Sequence, residues 1–409
     1  MIYSIAIVVL GTLGLGIAGQ FFGQMRVWLS ALGLAIVLAL TTDLAIIHQA
    51  KNARIGLTVV VFLIAVNLAW QARPDFNAMI LATLAFLFTF FISSFWAEYP
   101  ESAMLYKGLF SMMALAGLLW GWSLNNSDDL LLALRTYFLV FFVQLVMLWG
   151  MQVLDGGLGA VIGRMGPMGF NPNGVGDVAV LAVTPAVALL LYEEFRWKLI
   201  AQAALVLGAV ALLLSGSRAA VGSAVIMSLI ILGTRSKQVL LPVISGTVGI
   251  FIFFWLFPRF TQQHSVERLG NLDLLGRMEF WKAGMVGFYE APLFGIGWNS
   301  SMLFGRMSTK NLHSIYVTIL SEVGIVGSLV FLAMTGMIAL TAFRVFFGKA
   351  SHTTSNLVAH RFMLAAIAFF YAKGVFESGP LTGSSLFPFV AFFGIGALSS
   401  RALRFTPTR

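Results

Sequence analysis

The sequence predicts an all-α protein, a polytopic transmembrane helical bundle of about 12 spans with one long outer loop containing short helices. Three observations carry this. Of the 409 residues only 10% are charged and 59% are apolar, where a soluble domain carries about 25% charged residues. The apolar residues come in continuous runs of roughly 18 or more, enough to cross about 30 Å of hydrocarbon. Those runs are rich in Leu, Ala, Val and Phe and do not alternate with a period of two. A backbone in lipid must satisfy its own hydrogen bonds, so each span is a helix or part of a closed barrel. Without alternation, helices follow.

The apolar stretches are, in order, 2–19, 27–47, 56–71, 78–95, 104–124, 130–154, 175–193, 198–215, 218–235, 239–257, 315–343, 359–378 and 383–401. The first has no basic segment ahead of it and no obvious cleavage site, and reads as a span rather than a removed signal. Residues 258–313 hold no credible span and carry six Lys/Arg and four Asp/Glu. A loop this long in a compact chain is usually functional. The expected organisation is an amino-terminal bundle over 1–257, the loop over 258–313 and carboxy-terminal helices over 314–409, forming one integrated membrane domain.

Basic residues in short loops set orientation. Arg235 and Lys237 share one loop, Arg344, Lys349 and Arg361 flank another, and Arg401, Arg404 and Arg409 lie in the tail. Placing all three groups in the cytoplasm puts the long loop outside, together with 155–174, 216–218 and 379–382. Thirteen spans would then leave Lys51 and Arg54 outside, against the bias. Twelve true spans are therefore expected, with one early segment lying flat or re-entrant. The net charge of +9 belongs mostly to residues flanking apolar runs, where cations meet lipid phosphate rather than nucleic acid. The chain has no cysteine, which excludes disulfides and thiolate chemistry.

Four features fall on the outer side. Arg218, in Leu214-Ser215-Gly216-Ser217-Arg218, either anchors a helix end at the headgroups or recognises phosphate with its planar five-donor cation. In Gly276-Arg277-Met278-Glu279-Phe280-Trp281-Lys282, Arg277 and Trp281 share a helix face. That segment either holds an arginine rigid and partly desolvated beside an indole or is an ordinary interfacial helix. Pro292-Leu293-Phe294-Gly295-Ile296-Gly297 allows tight turns or close approach but lacks the Gly-Lys-Ser/Thr end of a nucleotide loop. His313 opens the next span. Helical spacing aligns it with Val317, Leu320, Gly324 and Gly327, whose glycines would admit a neighbouring helix. It is either an interfacial histidine or a general base.

Ionisable residues in or near the apolar runs are Asp43, Lys107, Arg135, Asp177, Glu322 and Lys373. Such residues are costly in lipid and are either functional or paired. Glu322 and Lys373 both fall in the outer halves of their spans, so an ion pair between them is expected. Asn171 and Asn173, around Pro172, are either a polar lining or a turn.

Together these features resemble the O-antigen ligase and polymerase family of membrane glycosyltransferases. The residues that carry the resemblance are Ser215, Arg218, Arg277, Trp281, Pro292, Gly295, Gly297, His313, Glu322, Gly324 and Gly327, with Trp96-Ala97-Glu98-Tyr99-Pro100 and Asn171-Pro172-Asn173 also similar. The specific likeness covers about 215–330. Ser314 stands where the family often has Asn.

The resemblance implies transfer of glycan from undecaprenyl diphosphate to a sugar hydroxyl, at the periplasmic face of a Gram-negative inner membrane. It implies an inverting reaction without metal or cofactor. His313 would be the base, Arg218 and Arg277 would stabilise the diphosphate, and Trp281, Asn171, Asn173, Lys373 and Glu322 would bind substrate. The expected acceptor is lipid A–core oligosaccharide, as for a ligase. A polymerase extending carrier-linked glycan, a protein O-oligosaccharyltransferase and a lipid-linked glycan flippase are alternatives. A flippase would place its key charges along a path near mid-membrane, whereas these motifs lie at the outer interface. The partners are thus the lipid-linked donor, the lipid A–core acceptor and membrane lipid, with no nucleic acid.

Overall fold

The structure, a computed structural model, describes residues 51–160, 165–166, 172–192, 195–232, 275–297, 312–347, 354–375, 377, 381 and 387–403. The apolar stretches 2–19, 27–47 and 239–257, Asn171, and the loop residues 258–274 and 298–311 lie outside the described residues, as do the orientation markers Arg235, Lys237, Lys349, Arg404 and Arg409.

The described chain is helical: α1 (Lys51–Ala72), α2 (Ala78–Ile92), α3 (Pro100–Trp122), α4 (Ser127–Ala160), α5 (Pro172–Tyr192), α6 (Phe195–Ser215), α7 (Arg218–Leu232), α8 (Leu275–Glu290), α9 (Ile315–Phe347), α10 (Thr354–Gly374) and α11 (Phe387–Ser399), with a 3₁₀ turn at Ser93–Trp96 after α2. Among the described residues, seven helices are long and apolar enough to cross a membrane. Helix α8 lies within the long loop. The starts obey local chemistry. Asn77 caps α2 by accepting from Ile80 N at 2.9 Å, Pro100 occupies the first turn of α3, and Ser217 Oγ accepts from Ala220 N at 3.4 Å to cap α7, each satisfying or avoiding an orphan N–H.

Many large apolar side chains of the described residues face outward. Leu81 and Phe88 on α2 and Leu329, Leu332 and Phe343 on α9 are exposed, as lipid-facing residues should be. In lipid, apolar side chains gain little by leaving one hydrocarbon for another, so helices associate by close packing of small residues. Helices α3 and α11 show this. A Cβ at Gly117 or Gly121 would collide with the backbone of Phe389 or Phe393, and one at Gly396 with the carbonyl of Leu118.

The two ends of the bundle differ. At one end Arg401 meets Asp75 at 3.4 Å, Asn77 Nδ2 donates to Ser399 O at 3.5 Å and Arg361 Nη1 donates to Leu232 O at 3.2 Å. The other end gathers the start of α5, the α6–α7 turn, the end of α10, the start of α9 and helix α8.

Helix α9 departs from expectation. A single straight span was expected over 315–343, but Gly324 has φ 67° and ψ −165° inside it. A straight helix would separate Tyr316 from Thr335 by about 28 Å. Yet Tyr316 donates to the carbonyl of Tyr371 at 3.1 Å while Thr335 Oγ1 lies 2.9 Å from the Tyr371 hydroxyl. The segment before Gly324 therefore folds back across the end of the bundle.

The bend frees backbone groups, and the Pro292–Gly297 loop takes them up. Ile296 N donates to Ser321 O at 3.0 Å and Gly297 N to Glu322 O at 3.2 Å, while Ile325 N donates to Pro292 O at 2.8 Å and Val326 N to Leu293 O at 3.1 Å. Broken helices survive in membranes where such groups are re-satisfied. The glycines make the fit possible. A Cβ on Gly324 would stand 2.5 Å from Gly295 N and one on Gly297 2.5 Å from Ala97 Cα, and all three glycines have positive φ. Trp96 Nε1 closes the loop by donating to Gly295 O at 3.1 Å. The close approach expected of these glycines is thus to the chain's own backbone. Gly324 makes the bend rather than a helix–helix contact, whereas Gly327 does meet α2, through Thr89.

Candidate active site

His313 lies just before α9, not within it, so its expected helical alignment with Val317 and Leu320 does not apply. Its φ is 50°, and with Arg73 it is one of two non-glycine residues of positive φ among the described residues. Such a backbone costs about 1–3 kcal/mol and is held by its surroundings, often at functional sites. Phe280 of α8 packs against the imidazole with ring centroids 5.2 Å apart. Helix α8 can lie this close because its contact face is glycine. A Cβ on Gly284 would press on Leu312 and Val317, and one on Gly287 on Ile296 and Ser321.

The centre of the cluster is Glu377, just beyond α10, a residue the sequence reading missed. His313 Nδ1 stands 3.9 Å from Glu377 Oε2. Arg277 Nη2 stands 4.0 Å from Oε1, and Asn173 Nδ2 donates to the same oxygen at 3.3 Å. Thus His313, Arg277 and Asn173, named from sequence in three separate segments, converge on one carboxylate. The Arg277 approach is a loose charge contact and not the bidentate fork a guanidinium makes at its strongest. One turn before Glu377, Lys373 pairs with Asp177 of α5 and lies over the Phe387 ring at 4.5 Å.

Arg218 sits at the first position of α7. Gly216, with φ 61°, turns the chain, Ser217 caps the helix, and Gly176 of α5 lies against Ser215, Ser217 and Ala220. The turn bearing Arg218 is therefore seated on the first turns of α5, the stretch that holds Asn173 and Asp177. Trp281 lies one turn beyond Arg277 on α8, half-buried, with its Nε1 buried and without a hydrogen-bond partner.

The expected Glu322–Lys373 pair does not form. Glu322 meets Lys107 at 3.6 Å, and Lys373 meets Asp177. Both residues do lie toward the same end of the bundle, but the fold-back of α9 carries Glu322 away from α10 to α3, where another buried cation is nearer.

Burial pushes the Glu377 carboxyl up, but the pull of His313, then of Lys373 and Arg277, outweighs it and holds the group below its ordinary value. Its stabilising contribution is accordingly full above the ordinary carboxylate range and lost as pH falls through the lowered pKa. Thermal melts in detergent should show Glu377→Gln less stable than wild type near neutral pH, with the two curves converging in buffer acidic enough to protonate Glu377. Curves that coincide at neutral pH would contradict this. Among the described residues no three His, Asp or Glu side chains are grouped as metal ligands would be.

A signal for Glu377 was present in the sequence: an acid at the very end of the apolar stretch 359–378, four residues after Lys373. A family model described as O-antigen ligase matches residues 203–332. The match runs from α6 through α8 into α9 and takes in Arg218, Arg277, Trp281, His313 and Glu322. Asn173, Lys373 and Glu377 lie outside it. No curated protein sequence matches the chain.

Proposed function

We propose, from the premise that residues 203–332 belong to the O-antigen ligase family, that this chain is an O-antigen ligase. It transfers glycan from undecaprenyl diphosphate to a hydroxyl of lipid A–core oligosaccharide, at the periplasmic face of a Gram-negative inner membrane. The observation that carries this reading is the convergence of His313, Arg277 and Asn173 on Glu377, at the end of the bundle where Arg218 also lies.

In the proposed step, the imidazole nitrogen opposite Nδ1 accepts the proton of the acceptor hydroxyl. Glu377 faces Nδ1, which favours the tautomer with the proton on that side and stabilises the imidazolium as it forms. The acceptor oxygen forms a bond to the anomeric carbon as the bond from that carbon to the diphosphate oxygen breaks. The electron pair leaves with the lipid diphosphate, and the anomeric centre inverts. Arg277 and Arg218 take up the developing negative charge by charge-assisted hydrogen bonds, the role a divalent cation fills in many diphosphate enzymes. Asn173, Trp281 and Lys373 lie in segments able to line the sugar and diphosphate path.

The test is reconstitution of the purified protein in liposomes with carrier-linked glycan and lipid A–core, in the presence of EDTA. Glycan appearing on lipid A–core is the expected product. Carrier-linked chain growth without lipid A would make the chain a polymerase and overturn the ligase reading. Activity restored only by magnesium or manganese would overturn the metal-free mechanism.

A further inference from the structure

We propose that Lys107 and Glu322 are positioning residues for the active site, fixing the bend of α9 so that α8 and the Pro292–Gly297 loop hold Arg277 and His313 in register. The proposal rests on the transferase reading for its kinetic consequence, though not for its structural one.

Lys107 lies in α3, a helix that contributes nothing to the cluster around Glu377, yet it is only 1% exposed and Glu322 only 4%. The lysine is engaged on three sides. It stands 3.6 Å from Glu322 Oε2, donates to Ser93 Oγ and lies 4.6 Å from the centre of the Phe90 ring. Ser93 is itself anchored, donating to Phe90 O at 2.8 Å. A buried pair of this kind is costly in a membrane and calls for a reason.

Joining the helices is not that reason, because aromatic contacts already do so. Phe90 meets Phe110 of α3 with ring centroids 4.9 Å apart, and Phe86 meets Phe331 of α9 at 5.2 Å. The distinctive property of the pair is its place. Glu322 is two residues before the bend at Gly324. Its side chain is held by Lys107 while its backbone carbonyl accepts from Gly297 N at 3.2 Å, and the adjoining Ser321 carbonyl accepts from Ile296 N at 3.0 Å. One residue thus ties the loop to the bundle. From that tie the path to the site is short: Ile296 and Ser321 seat Gly287 of α8, Leu312 and Val317 seat Gly284, and Phe280 on the same helix packs on His313. Together with the backbone bonds of the Pro292–Gly297 loop, the pair fixes the direction in which the folded-back segment leaves the bundle, which apolar contacts, being non-directional, do not.

Reacting groups displaced by about 1 Å can lose 10²-fold in rate. Lys107→Met should therefore lower kcat for transfer by about ten- to a hundredfold, with the KM for donor lipid changed by less than about threefold. A reporter independent of activity is available because the chain has no cysteine. Leu312→Cys places a thiol at a position 4% exposed beneath α8, and a maleimide should label it slowly in the otherwise wild-type protein and at least ten times faster with Lys107→Met.

A buried carboxylate deprived of the Lys107 charge could prevent folding, so Lys107→Met/Glu322→Met is the second variant. Replacing both partners by apolar groups of similar size removes both buried charges. The double variant should melt near the wild-type temperature yet label quickly and turn over slowly. Wild-type labelling and wild-type kcat in the folded double variant would overturn the proposal. So would a fall in kcat with labelling unchanged, since that places Lys107 in the chemistry. Fast labelling in a protein whose wild type transfers no glycan would uphold the positioning and overturn the transferase reading alone.

Discussion

His313→Ala is expected to reduce glycan transfer by about 10²–10⁴-fold, the usual contribution of a general base, while donor lipid still binds. The geometry behind this is specific. The imidazole is a third exposed, at 32%, with Glu377 3.9 Å from Nδ1 and Phe280 against its ring, which directs the other nitrogen away from the carboxylate. The base acts on the acceptor, so its loss leaves the diphosphate contacts in place. Single-turnover transfer measured beside donor binding on the purified variant is the check. Loss of donor binding with His313→Ala, or transfer at the wild-type rate, would remove His313 from the role assigned here. Glu377→Gln should show a smaller defect in the same assay, because it weakens the orientation of the base without removing it.

Arg277→Ala is expected to cost roughly 3 kcal/mol of transition-state stabilisation, or about a hundredfold in rate, as the loss of one preorganised charge-assisted contact to a developing charge does. Arg218→Ala should act in the same direction. Lysine at either position should recover part of the rate, since an ammonium keeps the charge and loses the planar fork. Arg277 carries a second consequence. It is one of the cations that hold Glu377 ionised, so in Arg277→Ala the carboxyl should protonate at a higher pH, and the acid limb of the thermal-melt profile should move upward. The measurements are transfer rate and thermal melts against pH for wild type, Arg277→Ala and Arg277→Lys. Equal rates in Arg277→Ala and wild type would place the diphosphate elsewhere.

The sequence by itself determined the solvent, the element type and most of the helices. Runs such as 78–95, 175–193 and 198–215 are read directly as α2, α5 and α6, because burial in lipid leaves the backbone no alternative to its own hydrogen bonds. It also named His313, Arg277, Asn173 and Lys373, because a charged or polar group beside an apolar run is expensive and stands out in a chain with so few.

Which groups would meet was decided by the tertiary structure. Glu322 and Lys373 were legible as candidates and wrong as a pair, since partner choice depends on the direction a helix takes after a bend. That bend turns on one glycine, and the same Gly324 would serve equally well in a straight helix packed closely on another. Glu377 was passed over because a single acid at the end of an apolar stretch is ordinary until His313, Arg277 and Asn173 are brought to it from segments far apart in sequence. Periodicity and composition report what each segment needs from its surroundings. The identity of the neighbour that meets the need is a long-range property, fixed here by the glycine contacts between α8 and α9 and by the backbone bonds of the Pro292–Gly297 loop.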